Sequence, residues 1–76
     1  MQELGTLVFW NNEKKFGFID PDSRKIAKGV FLHVRAFKDL AIEVREGMRL
    51  RFDPVTNYSV KHPLKATNVE VVGVQS

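Results

Sequence analysis

The chain has 76 residues, a formal net charge of +3 and no cysteine, which excludes a disulfide framework and a thiolate metal site. Two histidines, His33 and His62, are too few for a convincing zinc site, so we expect neither a metal nor a cofactor. The N-terminal residues lack a signal-peptide pattern and no apolar run approaches the ~20 residues of a membrane span, so we expect one domain over residues 1–76 of a soluble, cytoplasmic protein.

Three short strands are predicted in the first half of the chain, where β-branched and aromatic residues lie between turn residues. They cover residues 5–11, 16–20 and 30–34. Asn11 and Asn12 mark the first turn, and Pro21 between two aspartates ends the second strand. Residues 23–29 form a basic loop before the third strand.

Two more strands are predicted in the second half. Apolar residues recur at helical spacing within residues 36–44, so a short helix or 3₁₀ segment is expected there. Apolar and charged residues alternate over residues 48–53, which indicates the fourth strand. Residues 53–63 are expected to form a long loop, and the fifth strand to run from Leu64 or Lys65 to Val72.

The inward faces of these strands supply enough apolar residues for a small closed barrel. The expected core residues are Leu7, Ile19, Val30, Leu32, Leu50, Phe52, Val69 and Val71. Closure also removes the exposed edges that make short sheets aggregate. The predicted fold is therefore all-β, a five-stranded antiparallel OB-type barrel.

Aromatic residues alternate along the second and third predicted strands. Side chains i and i+2 of a strand share a face, so Phe16 and Phe18 form one row, and Phe31 and His33 form another. Two such rows side by side would make an exposed aromatic platform. On a basic protein, such a surface favours stacking against unpaired bases.

Several short motifs occur together in the chain: Gly5-Thr6-Leu7, Trp10-Asn11, Lys14, Phe16-Gly17-Phe18-Ile19, Val30-Phe31-Leu32-His33, Glu46-Gly47 and Ala66-Thr67-Asn68-Val69. In order and approximate spacing they resemble the cold-shock domain family, over essentially the whole chain. The resemblance implies a five-stranded antiparallel OB barrel whose exposed rings stack on bases of single-stranded DNA or RNA. It implies that role for Trp10, Phe16, Phe18, Phe31 and His33, which occupy matching motif positions.

The chain also departs from the family pattern. Lys15 stands where the family usually has glycine, Val34 stands where an aromatic is common, and the loop after Val34 is expected to be shorter. The usual order of lysine, tryptophan, phenylalanine and asparagine is replaced by Val8-Phe9-Trp10-Asn11. Strict alternation puts Phe9 on the same face as the core residue Leu7, so Trp10 is predicted to be the surface ring of the first strand and Phe9 is left open.

The candidate nucleic-acid-binding residues combine these rings with nearby cations. They are Trp10, Lys14, Lys15, Phe16, Phe18, Phe31, His33, Arg35 and Lys61. Tyr58 and His62 lie in the long loop predicted over residues 53–63 and could extend this surface. For the rings, the competing interpretation is burial in the core, and for the cations it is simple solvation. No nucleophile, base and acid combination or glycine-rich phosphate loop is present in the sequence, so no enzymatic activity is expected.

Two functions follow from this pattern. The first is single-stranded nucleic-acid binding, which would make the protein an RNA chaperone without ATP if it coats RNA. The alternative is a protein-interaction module that uses the same aromatic face, because exposed apolar patches also mark protein interfaces. A monomer is expected, with a strand-swapped dimer as the alternative, and neither a membrane nor a small-molecule substrate is expected as a partner.

Overall fold

The computed structural model describes residues 2–58 and 61–74, and within them five strands close into a barrel. The strands are β1 (Glu3–Asn11), β2 (Phe16–Pro21), β3 (Val30–His33), β4 (Met48–Thr56) and β5 (Leu64–Val74), with a 3₁₀ turn at Val34–Ala36. The predicted all-β OB-type barrel is thereby confirmed. None of the described residues belongs to a helix long and apolar enough to cross a membrane.

The strands follow one another around the barrel in the order β1-β2-β3-β5-β4, and β4 pairs with β1. The β1–β2, β2–β3, β1–β4 and β4–β5 pairs are antiparallel. Closure between β3 and β5 is parallel and rests on the pairing of Phe31 with Lys65. An isolated parallel bridge between Phe37 and Val69 extends this closure beyond the end of β3.

The core lies inside the barrel, on the inward faces of the strands. Its buried members are Leu7, Ile19, Val30, Leu32, Phe37, Met48, Leu50, Phe52, Ala66 and Val69. Each fully buried Leu, Val, Ile or Phe side chain contributes roughly 1.5–3 kcal/mol of hydrophobic stabilisation. The predicted core is confirmed except for Val71, which is partly buried and packs against it.

The helical segment predicted within residues 36–44 is wrong. The 3₁₀ turn comes earlier, at Val34–Ala36, so β3 ends at His33 and not at Val34. Phe37 is then extended and buried because it pairs with Val69, and the Lys38 N–H donates to the Val69 carbonyl at 3.0 Å. Ile42 and Val44 also pack against the core, whereas Leu40 is 66% exposed, so the apolar residues of this segment do not form one helical face.

The long loop predicted over residues 53–63 is also wrong at its start, because β4 continues through Pro54 to Thr56. Among the described residues the β1–β4 pairing ends where Glu3 meets Phe52, and β4 beyond that point pairs with β5. Within sheets, proline is found mainly on edge strands, at the first residue of a strand and at bulges, so a strand through Pro54 was not predicted. The Asn57 N–H donates to the Pro63 carbonyl at 2.9 Å and closes the shorter loop that remains.

Candidate nucleic-acid interface

The antiparallel pairing of β2 with β3 brings the two predicted aromatic rows side by side. Phe16 lies opposite His33 and Phe18 lies opposite Phe31. The ring centroids of Phe16 and Phe18 are 5.7 Å apart, and Phe31 lies 5.9 Å from Phe16 and 6.2 Å from Phe18. The neighbouring residues Gly17 and Leu32 point into the barrel and are buried, so these three phenylalanine rings stand on its outer surface.

Phe9 joins these rings because β1 contains an irregularity. Leu7 pairs with Ile19 and Phe9 pairs with Phe18, which leaves Val8 as an extra residue in β1. A β-bulge of this kind shifts the side-chain alternation by one position, so the strict alternation predicted for β1 is wrong. Phe9 is 40% exposed, and its ring lies 6.0 Å from Phe16 and 5.7 Å from Phe18. We call Phe9, Phe16, Phe18 and Phe31 the aromatic platform.

Trp10 lies beside the aromatic platform and not among its rings. It pairs with Gly17, is partly buried and packs against the core. A Cβ atom at Gly17 would lie 2.8 Å from Trp10 Cε3, so the indole covers the glycine. With Lys15 and Val34, Trp10 lines a groove of about 380 Å³ at this end of the sheet.

The turn before β4 holds the irregular part of β1 in place. The Gly47 N–H donates to the Leu7 carbonyl at 2.7 Å, and Glu46 Oε2 accepts from the Trp10 N–H at 3.0 Å. The β1–β4 pairing ends where Thr6 meets Arg49. Beyond that point, these two bonds supply hydrogen-bond partners for backbone groups of β1. The Glu46-Gly47 motif therefore fixes the segment that carries Phe9.

His33 continues the row of Phe31 and begins the 3₁₀ turn. Its Nδ1 atom accepts a hydrogen bond from the Arg35 N–H at 3.2 Å. The neutral imidazole must then carry its proton on Nε2. His33 can therefore offer a base both a ring and a hydrogen-bond donor, and Arg35 is exposed next to it.

The predicted cations lie towards two ends of the aromatic platform. Lys14 and Lys15 belong to the turn before Phe16, while Lys61 lies on the β4–β5 loop next to His62. Asn11 Oδ1 accepts from the Lys14 N–H at 3.0 Å and shapes the turn. Among the residues described by the structure, Lys14, Lys15, Arg35 and Lys61 take part in no ion pair, so their charge is available to phosphates.

The family model of the 'cold-shock' DNA-binding domain matches residues 3–72. The chain belongs to the cold-shock domain family. Its domain is therefore a nucleic-acid-binding one, as the rings on β2 and β3 predicted. A search of curated proteins found no match.

Lys15 occupies a position at which the cold-shock domain family usually has glycine. Its φ is +60°, in the left-handed region that glycine adopts without strain. The usual family glycine at this position thus has a physical reason. Here the lysine side chain stays exposed and its Nζ donates to Asn12 Oδ1 at 3.1 Å.

Two further residues border the aromatic platform: Lys65 is not among the predicted candidates, and His62 was predicted only as a loop residue that could extend the surface. Lys65 pairs with Phe31 across the β3–β5 closure and is exposed. Strict alternation from the predicted core residue Val69 would have placed Lys65 inward. An irregularity in the β4–β5 pairing near Asn68 buries Ala66 instead and leaves Lys65 outside. His62 stacks on Phe18 with centroids 4.2 Å apart, and no periodicity in the sequence indicates this loop contact.

Other charged residues of this cold-shock domain are engaged in ion pairs. Arg49 donates to both carboxylate oxygens of Asp22, at 2.7 and 2.5 Å, and to Thr6 Oγ1 at 2.8 Å. The hydrogen bond from Arg49 holds the pKa of Asp22 below its usual 3.8. Likewise, the hydrogen bond from Lys38 Nζ, at 2.7 Å, lowers the pKa of Glu70. These pairs stabilise local structure and differ from the cations beside the platform.

No group of three or more histidine or carboxylate side chains that could hold a metal ion occurs within residues 2–58 and 61–74. The candidate site consists of the aromatic rings, the hydrogen-bonding histidine and the surrounding cations.

Proposed function

We propose that this protein binds single-stranded nucleic acid by stacking bases on the aromatic platform. The observation that carries the proposal is the grouping of four phenylalanine rings, each 5.7–6.2 Å from its ring neighbours, on the outer surface of three adjacent strands. Core packing does not require these rings, because the opposite faces of the same strands already supply buried residues.

Stacking provides enough free energy for useful affinity. Each base stacked on an aromatic side chain contributes about 1–3 kcal/mol. Several such contacts offset the cost of association and support dissociation constants of about 1 μM, which correspond to about −8 kcal/mol. Because every base has a π-face, we expect weak sequence selectivity, and poor binding of duplexes whose bases are already stacked.

The cations add a salt-dependent contribution from phosphates. For single strands, log K falls by about 0.7 per tenfold rise in salt for each phosphate neutralised. Lys14 and Lys15 at one end, Lys61 at the other, and Arg35 beside His33 are the candidates. A protein that coats RNA in this way competes with base pairing, so we extend the proposal to an ATP-independent RNA chaperone that acts as a single, monomeric domain in the cytoplasm.

The experiment follows Trp10 fluorescence during titration with oligo-dT, oligo-U and a duplex of matched length. We expect both single strands to change the fluorescence and the duplex to bind far more weakly. Phe18→Ala and Phe31→Ala should each weaken binding while the protein stays folded. Absence of single-strand binding at low salt, or equal affinity for the duplex, would contradict the proposal.

A protein-interaction role for the same face is the second candidate. It is favoured by Val8, 48% exposed next to Phe9, and by Val34 in place of the family aromatic. A partner protein on this surface would protect the phenylalanine rings and displace oligo-dT. If oligonucleotides never bind and such a partner protects these rings, this second role replaces the first.

A further inference from the structure

His62 has the shortest ring-to-ring distance in the aromatic cluster. Its centroid lies 4.2 Å from that of Phe18 with an interplanar angle of 20°, whereas the phenylalanine pairs are 5.7 Å or more apart. The histidine therefore covers part of one Phe18 face. A base that approaches this face meets the imidazole before it meets Phe18.

The imidazole is held from a second direction by the β2–β3 loop. His62 Nδ1 lies 3.0 Å from the Gly29 carbonyl oxygen. Since a carbonyl can only accept, Nδ1 carries the proton in this bond. Gly29 is itself placed by a bond from its N–H to Asp20 Oδ1 at 3.3 Å, and its φ of +74° favours glycine.

The backbone of His62 is anchored within its own loop. Asn57 Nδ2 donates to the His62 carbonyl at 2.8 Å, and the Asn57 N–H donates to the Pro63 carbonyl at 2.9 Å. Together with the stack and the Gly29 bond, these contacts order the side chain before any ligand arrives. A preordered ring loses less conformational entropy on binding than a mobile one.

Building on the proposed single-strand binding, we propose that His62 is a base-stacking residue that extends the aromatic platform onto the β4–β5 loop by one nucleotide. The ligand at this position is the base next to the one that contacts Phe18. The neighbouring Lys61 is exposed and carries the charge that a phosphate at this end requires.

Two other roles would give His62 the same contacts. As a cover, the imidazole would compete with a base for Phe18, and its removal would strengthen binding. If His62 only linked the β2–β3 and β4–β5 loops through its bond to Gly29, every substitution that removes the Nδ1 bond would change single-strand binding to the same extent as His62→Ala. The three roles therefore predict different results for two substitutions.

The test compares the wild-type protein with His62→Ala and His62→Phe, using oligo-dT strands of increasing length and fluorescence anisotropy. For strands long enough to reach the loop, His62→Ala should weaken binding about 5- to 150-fold, the equivalent of one stacked base. Strands too short to reach it should bind both proteins equally. His62→Ala should also cover one nucleotide fewer on a long strand than the wild-type protein does. A purely structural role for His62 would leave this number unchanged.

His62→Phe keeps a ring on Phe18 but loses the bond to Gly29, so it should retain the wild-type site size and most of the affinity. Circular dichroism and urea unfolding establish that both variants are folded. Stronger or unchanged binding by His62→Ala at every length, or a His62→Phe protein as weak as His62→Ala, would overturn the proposal. If the wild-type protein binds no strand of any length, the proposed function itself fails; if it binds and His62→Ala behaves identically, only the role of His62 fails.

Discussion

The direction of one side chain, Phe9, changes the composition of the aromatic platform. With unbroken alternation in β1, this ring would join Leu7 in the core; the extra residue Val8 turns it outward against Phe16 and Phe18. The reversal also turns Trp10 towards Gly17 and away from the rings. In this domain the ring that β1 contributes to the platform is therefore Phe9.

Phe9→Ala should weaken single-strand binding by about 5- to 150-fold, because it removes one stacking ring. Leu4→Ala is the matched control. Leu4 lies on the same strand with 41% exposure against 40% for Phe9, but it pairs with Arg51 at the other end of β1. Titration with oligo-dT should separate the two variants. Equal affinities for both would show that Phe9 does not contact bases.

The left-handed backbone conformation of Lys15 should lower the stability of the protein. A non-glycine residue in the left-handed region costs roughly 1–2 kcal/mol, partly offset because glycine makes the unfolded chain more flexible. Lys15→Gly should therefore raise the free energy of unfolding by about 0.5–1 kcal/mol. Urea unfolding measures this change, and a lower midpoint for Lys15→Gly at an unchanged slope would contradict it.

At the scale of single strands, alternation in the sequence predicted β2 and β3 well. Each is short and unbroken, so the platform residues Phe16, Phe18 and Phe31 and the core residues between them follow from parity alone. The Val8 irregularity could not be predicted this way, since it depends on how β1 pairs with two neighbours that end at different places. Propensity likewise failed at Pro54, because only the pairing pattern reveals that β4 continues through it against β5.

The segment after β3 is another part of the chain whose structure the local sequence pattern did not predict. Apolar residues at helical spacing were sufficient to suggest a helix, but Phe37 is buried through a bridge to Val69, a contact far along the chain. Long-range attachment overrides a local pattern when the local pattern is short. His62 and Lys65 reach the platform through barrel closure and a loop contact, which a single sequence does not encode in any periodicity.

The contact between β1 and β2 leaves no room for a side chain at Gly17. A Cβ atom there would lie 2.2 Å from the Phe9 carbonyl oxygen, so backbone would have to move. Gly17→Ala should lower the free energy of unfolding by about 3 kcal/mol or more, at the upper end of overpacking costs. Gly73→Ala is the control, because its nearest atom is Arg49 Cβ at an ordinary 3.8 Å. Thermal unfolding that gives the same midpoint for both would contradict the packing argument.

For the whole molecule, stability should decrease in acid because of the Asp22–Arg49 pair. Arg49 lowers the pKa of Asp22 in the folded state below its usual 3.8. A carboxylate with a lowered folded pKa stabilises the protein above its unfolded pKa, and that contribution is lost as pH falls through the folded pKa. Asp22→Asn and Arg49→Gln should each flatten this loss below pH ~4. The measurement is the urea unfolding midpoint across that pH range. If both variants showed the same pH dependence as the wild-type protein, the Asp22–Arg49 pair would not be the source of the acid sensitivity.

The barrel separates two sets of aromatic residues, and this separation makes the central claim directly testable. Phe9, Phe16, Phe18 and Phe31 lie on the outer surface, whereas Phe37 and Phe52 are buried, at 4% and 0% exposure. The two buried rings are therefore internal controls for the four platform rings in the same sample.

The most direct measurement is aromatic NMR of the protein during titration with oligo-dT. Stacked bases shift nearby ring protons upfield through their ring currents. We expect large shifts at Phe9, Phe16, Phe18 and Phe31, and at most small ones at Phe37 and Phe52. Saturable binding of oligo-dT that leaves the four platform rings unshifted would contradict base stacking on this surface.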